Sequence, residues 1–282
     1  MKKYILACLL LAFPASVFGG AVTGPIQAAP PPPEQAAPAQ MRLSPEQQFA
    51  AVLVAAEKGD ASAMLNLGGL YEQGFGISRD FTRALGWYQK AADAGLPEGL
   101  YNVGIAHEIG MGTAGDPAKA LGFYQKAADK GLAMAHFKLY AVYARGQGTP
   151  PDNDQAFTHL LKAADAGFIP AQGEAAKVYL NGLLGRPKSP EKALAYVSRA
   201  AERGDPQAAY DLALMHRDGV GTKADRGAAL RWAFILKKRK IDGLDPLVNE
   251  LKKGLPQPQI ASAEAKADAW VKNFGRRAQA PE

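Results

Sequence analysis

Residues 61–95 read ASAMLNLGGLYEQGFGISRDFTRALGWYQKAADAG, and this stretch decides the fold. Ala63, Leu67 and Tyr71 recur at the spacing of one face of an α-helix, and Gly74 and Gly76 then break that helix. A second small and aromatic stripe follows the break, at Ala84, Trp87, Tyr88 and Ala91. The stretch therefore predicts two helices joined by a turn, a helical hairpin.

The same pattern returns along the chain at a nearly constant period. Its clearest marker is a pair of alanines followed three residues later by glycine, and the pair begins at Ala55, Ala91, Ala127, Ala163 and Ala200. The spacings between these markers are 36, 36, 36 and 37 residues. A fixed period in this range indicates a solenoid, in which hairpins stack one on another. We predict five units, with the boundaries 60–95, 96–131, 132–167, 168–204 and 205–240.

Helix boundaries carry similar signals from unit to unit. A capping residue followed by proline, as in Asp116-Pro117 and Ser189-Pro190, predicts the start of a second helix. The side-chain oxygen satisfies free backbone N–H groups, and proline suits the first helical turn. Glycines equivalent to Gly95 follow the second helix, and their left-handed conformation is expected to close it.

The two ends of the array are predicted to differ from its interior. Ser44-Pro45 starts an extra half unit, a single helix within residues 43–59. Residues 241–276 contain amphipathic segments that we interpret as C-terminal capping helices, because repeat arrays need end units with a polar outer face. Residues 277–282 are predicted to be a disordered tail.

The N-terminal residues have the layout of a secretory signal peptide. A cationic start precedes an apolar run that Pro14 interrupts, and small residues follow. We predict a signal peptide at 1–19, with cleavage after Ala21 as the alternative, and a disordered linker rich in proline and alanine at 20–42. An uncleaved anchor helix is a further alternative, but the run is shorter than the roughly 20 residues that span a bilayer. The sequence therefore predicts a periplasmic or secreted protein without an integral membrane span after signal cleavage.

Composition and charge exclude several classes of protein. The 282 residues are 48% hydrophobic and 21% charged, which excludes a fully disordered, collagenous or polytopic membrane protein. The formal net charge is +6, and it falls to +4 when Lys2 and Lys3 leave with the signal peptide. This balance does not predict the clustered basic stripe of a nucleic-acid-binding protein. Cys8 also lies in the leader, so disulfides, thiol catalysis and cysteine-ligated metals are excluded from the mature chain.

The repeat closely resembles the Sel1-like repeat, a relative of the tetratricopeptide repeat with a slightly longer period. The matching positions in unit one are Ala63, Leu67, Gly68, Tyr71, Gly74, Gly76, Asp80, Ala84, Trp87, Tyr88, Lys90, Ala91, Ala92 and Gly95. Units three and four drift: Tyr140 replaces the small residue at the helix crossing, and Gly185 accompanies an insertion. The resemblance covers residues 60–240. It implies an all-α, right-handed solenoid of about five helix-hairpin repeats of 36–37 residues, with an N-terminal half unit and C-terminal capping helices.

The sequence singles out no group of residues for catalysis. Its histidines fall on repeat positions spread along the array, and we predict that they are structural and do not converge as ligands. They are His107, His136, His159 and His216. Glycine pairs such as Gly74 and Gly76 recur at the hairpin turns and lack the strand and the Gly-Lys-Ser/Thr ending of a phosphate loop. We therefore predict no catalytic residue, no metal site and no cofactor.

The resemblance implies a binding function. Sel1-like proteins act largely as adaptors, and exported bacterial members are implicated in envelope assembly, exopolysaccharide control and host interaction. We therefore expect a non-enzymatic scaffold of the bacterial cell envelope whose partner is another protein, either an envelope protein or a sensor domain. The alternative is a cell-wall-related or β-lactam-binding hydrolase, as described for cysteine-rich relatives, from which this chain departs by having no mature cysteine.

By analogy with the groove of tetratricopeptide arrays, we place the partner site on the concave face formed by the first helices of units two to four. The predicted contact residues combine apolar anchors with charges of both signs, as a peptide groove does. They are Tyr101, Ile105, Glu108 and Ile109 in unit two, Phe137, Ala141 and Arg145 in unit three, and Lys177 and Asn181 in unit four. Tyr101 and Phe137 occupy an aromatic position that can instead pack within the unit.

Overall fold

A computed structural model describes residues 43–279, so the predicted signal peptide at 1–19 and linker at 20–42 lie outside the described residues. The described part is a succession of helices without a strand, none of which is long and apolar enough to cross a membrane. A single helix, α1 (Pro45–Glu57), comes first. The hairpins that follow are α2 (Ala61–Gln73) with α3 (Phe81–Asp93), α4 (Pro97–Ile109) with α5 (Pro117–Asp129), α6 (Ala133–Arg145) with α7 (Asn153–Asp165), α8 (Ile169–Asn181) with α9 (Pro190–Glu202), and α10 (Pro206–Asp218) with α11 (Arg226–Lys238). The last helices are α12 (Asp245–Lys252) and α13 (Gln257–Gln279). This succession confirms the predicted all-α array.

Aspartate side chains start most of the second helices. Asp80, Asp116 and Asp225 each accept a hydrogen bond at 2.9 Å from the backbone N–H three residues further on. This contact satisfies one of the free N–H groups of the first turn. The predicted cap is wrong for Ser189, whose hydroxyl donates to Glu191 at 3.2 Å and does not accept from the backbone. A proline in the first turn still marks the start of that helix.

In units one and two, a glycine on the first helix makes room for a tyrosine on the second. A methyl group added at Gly68 would lie 2.5 Å from the ring of Tyr88, and one added at Gly104 would lie 2.6 Å from the ring of Tyr124. Both rings are buried. Each hydroxyl donates to a glutamate on the first helix, as Tyr124 does to Glu108 at 2.5 Å. The small residue thus lets the two helices approach and positions the hydrogen bond.

Unit three fills the same crossing from the opposite helix. Tyr140 stands at the position of Gly104, and Leu160 stands at the position of Tyr124. Leu160 is fully buried, and Tyr140 packs against the cluster that contains it. The tyrosine at this crossing therefore lies on the first helix in unit three, whereas it lies on the second helix in units one and two.

Glycines in the hairpin turns contact the backbone of the preceding unit at short distance. At Gly112, where φ is +69°, an added methyl group would lie 2.3 Å from the carbonyl oxygen of Phe81, at the start of the preceding unit's second helix. Gly76 and Gly221 make equivalent approaches at 2.2 and 2.3 Å. Only glycine combines a positive φ with such a close backbone neighbour. In unit four, Leu184 occupies this position at φ +54°, next to the insertion noted in the sequence.

An aromatic cluster closes the C-terminal end of the array. Trp270 on α13 meets Trp232 edge-on with ring centroids 5.9 Å apart, and it stacks on Phe274 at 4.8 Å. The Trp270 indole N–H also donates to Glu202 at 2.7 Å, which ties the last helix to unit four. α13 continues to Gln279, three residues into the segment predicted to be a disordered tail.

Candidate functional site

The first helices of successive units, α2, α4, α6, α8 and α10, form what we call the first-helix surface. Neighbouring helices in it are in contact. Lys138 on α6 pairs with Glu108 on α4, with 2.7 Å between the ammonium nitrogen and the carboxylate oxygen. Phe137 on α6 packs against Phe168 at the start of α8, with ring centroids 5.3 Å apart. The surface is therefore continuous from unit two to unit four.

Three of the four residues predicted as contacts in unit two also support their own unit. Tyr101 packs against Tyr124 with ring centroids 5.6 Å apart, and Ile105 packs against the same buried cluster. Glu108 accepts the Tyr124 hydroxyl at 2.5 Å. Ile109 differs, because 67% of its surface is exposed. It is the residue of this group that is most accessible to a partner.

Some of the predicted contact residues of units three and four are exposed, and others line a cavity. Arg145 and Asn181 are exposed, and Ala141 is partly exposed. The Asn181 side-chain amide donates to the backbone carbonyl of Lys177 at 3.1 Å. Phe137 and Lys177 are partly buried and line a common cavity.

This cavity opens on the first-helix surface between α6, α8 and α10, and its volume is about 520 Å³. Phe137, Leu180 and Met215 contribute to an apolar wall. Lys177 and Asp211 contribute to a polar wall. A cavity of ~300–1,000 Å³ that combines an apolar lining with a few polar groups is typical of ligand sites.

The polar wall carries more negative than positive charge. Glu174, Asp205 and Asp211 contribute carboxylates, and Lys177 contributes an ammonium group. The Lys177 ammonium lies 2.5 Å from a Glu174 carboxylate oxygen. Asp205 caps α10 by accepting the backbone N–H three residues further on at 2.7 Å.

Asp211 is a partly buried carboxylate of this wall. Its carboxylate accepts the side-chain amide of Gln207 at 3.0 Å. Burial raises the pKa of Asp211 to about 6, and the neighbouring charge of Asp205 acts in the same direction. The Gln207 hydrogen bond and the charge of Lys177 act against this shift. Burial therefore disfavours the ionised form of Asp211.

The contribution of α10 to this site was not predicted from the sequence. The predicted inward-facing positions end in unit four, whereas Asp205, Gln207 and Asp211 of unit five also line the cavity. A second set of equivalent positions on the first helices also lies outside the prediction. Glu174 and Asp211 occupy equivalent positions in units four and five, one residue beyond the position of Tyr101 in unit two. A carboxylate at the same position of two adjacent units was the available signal.

Family membership follows from the repeats that build this surface. The family profile for the Sel1 repeat matches residues 61–96, 97–132, 133–168, 169–205 and 206–234. The chain belongs to the Sel1 repeat family. Each matched segment begins one residue after the start of the unit that the sequence predicted. Proteins of this family are generally protein-interaction scaffolds, and their helical solenoid is generally non-catalytic.

Solved structures resemble this Sel1 repeat protein over most of its length. A Sel1 repeat protein from Oxalobacter formigenes is 25% identical, with a TM-score of 0.57, and the alignment covers 82% of this chain and 91% of the other. A putative Sel1 repeat protein from Klebsiella pneumoniae is 24% identical, with a TM-score of 0.44 and coverage of 74% and 99%. The immunity protein Pa5087 from Pseudomonas aeruginosa is 22% identical, with a TM-score of 0.45 and coverage of 86% and 83%. The comparison with curated proteins found no match.

Two of the histidines, His136 and His159, are in contact, which the sequence did not predict. They lie on the two helices of unit three, their Nδ1 atoms are 2.9 Å apart, and Tyr143 stacks on His159 with ring centroids 5.6 Å apart. Burial lowers the pKa of both, that of His159 to about 4, where the charge of His136 is the second cause. Within residues 43–279, no group of three or more His, Cys, Asp or Glu side chains is placed to hold a metal ion. The pair is therefore a contact between neutral imidazoles that joins the two helices.

A Ser-x-x-Lys sequence, the nucleophile motif of penicillin-binding enzymes, runs from Ser189 to Lys192 at the start of α9, and a prediction that the chain lacks this motif would be wrong. The Ser189 hydroxyl donates to Glu191 at 3.2 Å. The Lys192 ammonium lies 5.2 Å from the ring centroid of Tyr179. Serine and lysine are thus engaged with different partners.

Proposed function

We propose that this protein is an exported, non-enzymatic scaffold of the bacterial cell envelope that binds a partner protein on its first-helix surface. The cavity between α6, α8 and α10 carries this proposal, because it combines accessible apolar and charged groups on the face that repeats along the array. The general role of Sel1 repeat proteins as interaction scaffolds supports it.

A row of exposed side chains on the first-helix surface also supports partner binding. The last residues of α4, α6, α8 and α10 are Ile109, Arg145, Asn181 and Asp218, which are equivalent in the repeat and exposed. They present in turn an apolar, a basic, an amide and an acidic group. Stacked repeats use such regularly spaced, dissimilar side chains to bind an extended partner.

Site-specific photo-cross-linking in cells tests the location of the binding surface. A photoreactive amino acid at Ile109 or Arg145 should cross-link to one envelope protein. The same group at Lys126 or Lys162, which are exposed on second helices, should not cross-link to that protein. Cross-links confined to the second-helix positions would contradict the proposed surface.

Export is tested separately. The pattern of residues 1–19 supports it, and the intact mass of the protein from the periplasmic fraction should correspond to a chain beginning near Gly20. A protein that keeps Met1 and stays in the cytoplasm or membrane would contradict export.

A further inference from the structure

We propose that the cavity between α6, α8 and α10 binds one lysine or arginine side chain of a partner peptide together with an apolar residue beside it. This inference rests on the proposed scaffold function and adds the chemistry of the partner.

The shape and lining of the cavity fit a long side chain with a charged end. Phe137, Leu180 and Met215 come from three different first helices and together provide apolar surface. Lysine and arginine bury their aliphatic stems on such surface while the charged group reaches a polar partner. The volume of about 520 Å³ leaves room for a neighbouring apolar side chain as well.

The excess of carboxylates in the polar wall favours a ligand group with a positive charge. The lining contains three carboxylates and one ammonium group, and the Lys177 ammonium lies 2.5 Å from a Glu174 carboxylate oxygen. The Asp205 and Asp211 carboxylates accept from uncharged N–H groups. The whole chain carries a formal net charge of +6, so this negative excess is a local feature. A cationic side chain would complement it, and an anionic one would be repelled.

A cation beside Asp211 would offset the effect of burial on its carboxylate. Its pKa of about 6 shows that the cavity does not fully stabilise the ionised carboxylate. The charged groups around it are Glu174 and Lys177 on α8 and Asp205 on α10. A ligand ammonium or guanidinium group at hydrogen-bond distance would stabilise the ionised form, and charge-assisted hydrogen bonds of this kind are stronger than neutral ones.

A matched set of short peptides tests the inference directly. The probes are blocked peptides with a central lysine, norleucine or glutamate between two leucines, measured by fluorescence anisotropy against the mature chain. We expect the lysine peptide to bind at least about ten-fold more tightly than the norleucine peptide, because only lysine offers a charge to the carboxylates. The glutamate peptide should bind most weakly. Equal binding of all three peptides, or no binding of any, would overturn the inference, and this comparison needs no protein variant.

Variants of the protein then locate the contact. Asp211→Asn should weaken binding of the lysine peptide about ten-fold and leave binding of the norleucine peptide nearly unchanged. Asp93→Asn is the matched control, because Asp93 also accepts an amide from the glutamine four residues before it, at 2.8 Å, but lies exposed on a second helix. An equal effect of both variants would place the cation elsewhere and overturn the inference.

The pH dependence gives an independent readout. Binding of the lysine peptide should strengthen from pH 5 to pH 7, since Asp211, with a pKa of about 6, becomes ionised over this range. Asp211→Asn should flatten this dependence.

The outcomes also separate this inference from the proposed function. Cross-linking of an envelope protein at Ile109 or Arg145 without a preference for the lysine peptide would keep the scaffold and reject the cationic ligand. A preference for the lysine peptide without any cross-linked partner would reject the scaffold role at this surface and leave the cavity as a cation-binding site.

Discussion

Units two and three differ in which helix carries the tyrosine at the crossing of the two helices. In unit two, Gly104 on the first helix accommodates the ring of Tyr124 on the second. In unit three, Tyr140 lies on the first helix and Leu160 on the second. The comparison teaches that the fold requires a combined volume at the crossing and leaves open which helix supplies it.

The largest expected effects come from a double-mutant cycle that converts unit three to the arrangement of unit two. Tyr140→Gly should lower the free energy of unfolding by about 3–4 kcal/mol, since it removes a large side chain from the cluster around Leu160 and places glycine inside a helix. Leu160→Tyr should cost about 1–3 kcal/mol by overpacking. The double variant should cost less than the sum, as measured by urea unfolding.

The reciprocal change in unit two, Gly104→Tyr with Tyr124→Leu, is the control for this cycle. Strictly additive costs in both units would show that the two positions are not a complementary pair.

Adding one methyl group should have opposite effects on stability at the crowded helix crossing and on an exposed helix face. Gly104→Ala should destabilise the protein by about 2 kcal/mol, because the new methyl group would lie 2.6 Å from the buried Tyr124 ring. Gly122→Ala, on the exposed face of α5 with no atom within 4 Å of an added methyl group, should stabilise it by about 0.5–1 kcal/mol. Thermal unfolding of the two variants checks both signs. A loss of stability at Gly122 would mean that helix propensity is not the governing factor there.

Acid should weaken unit three more than unit two through the His136–His159 pair. The pKa of His159 is about 4 in the folded protein and about 6.5 in an unfolded chain. The unfolded state therefore binds protons first as the pH falls, so the stabilisation is complete above about pH 6.5 and is lost between pH 6.5 and 4. The nearby charges of Asp129 and Lys162 act in opposite directions on this equilibrium. We expect a loss of about 1–2 kcal/mol over this range.

Amide hydrogen exchange, resolved by unit, measures this loss. The double variant His136→Leu, His159→Phe serves as the reference and should show a smaller dependence on pH in unit three. The same dependence in the variant would assign the effect to carboxylates.

The smallest expected effect concerns a hydrogen bond that is present in unit two. Unit three lacks it, because Leu160 stands at the position of Tyr124. Tyr124→Phe removes the hydroxyl that donates to Glu108 at 2.5 Å, and it should cost about 1 kcal/mol because Glu108 keeps its ion pair with Lys138 at 2.7 Å. Burial and the Glu108 charge raise the pKa of Tyr124, so the phenol remains a donor at neutral pH. Tyr88→Phe should give a similar cost in unit one. Chemical denaturation of both variants tests this, and no change in either would show that the bond contributes nothing net.

The sequence was sufficient to predict features that recur in most units. The alanine pairs, the turn glycines and aspartates such as Asp116 repeat with the period, so each unit confirmed the interpretation of the others. Features created by one unit's departure from the pattern could not be predicted in this way. The contact of His136 with His159 depends on how the hairpin of unit three closes, and the cavity depends on side chains from three first helices. Repeat spacing fixes which residues are equivalent, but it does not fix which side chains meet across units.

The turn glycines and the first-helix side chains have different tasks. The glycines bring the backbones of neighbouring units into contact, whereas the side chains are proposed to bind the partner. Gly112 meets the backbone of Phe81, so the step between these units is set by main-chain atoms. Side chains on the first helices can therefore vary without altering this main-chain contact between the units. Unit four, where Leu184 replaces the glycine, is the place in the array where an inserted residue can alter the pitch itself.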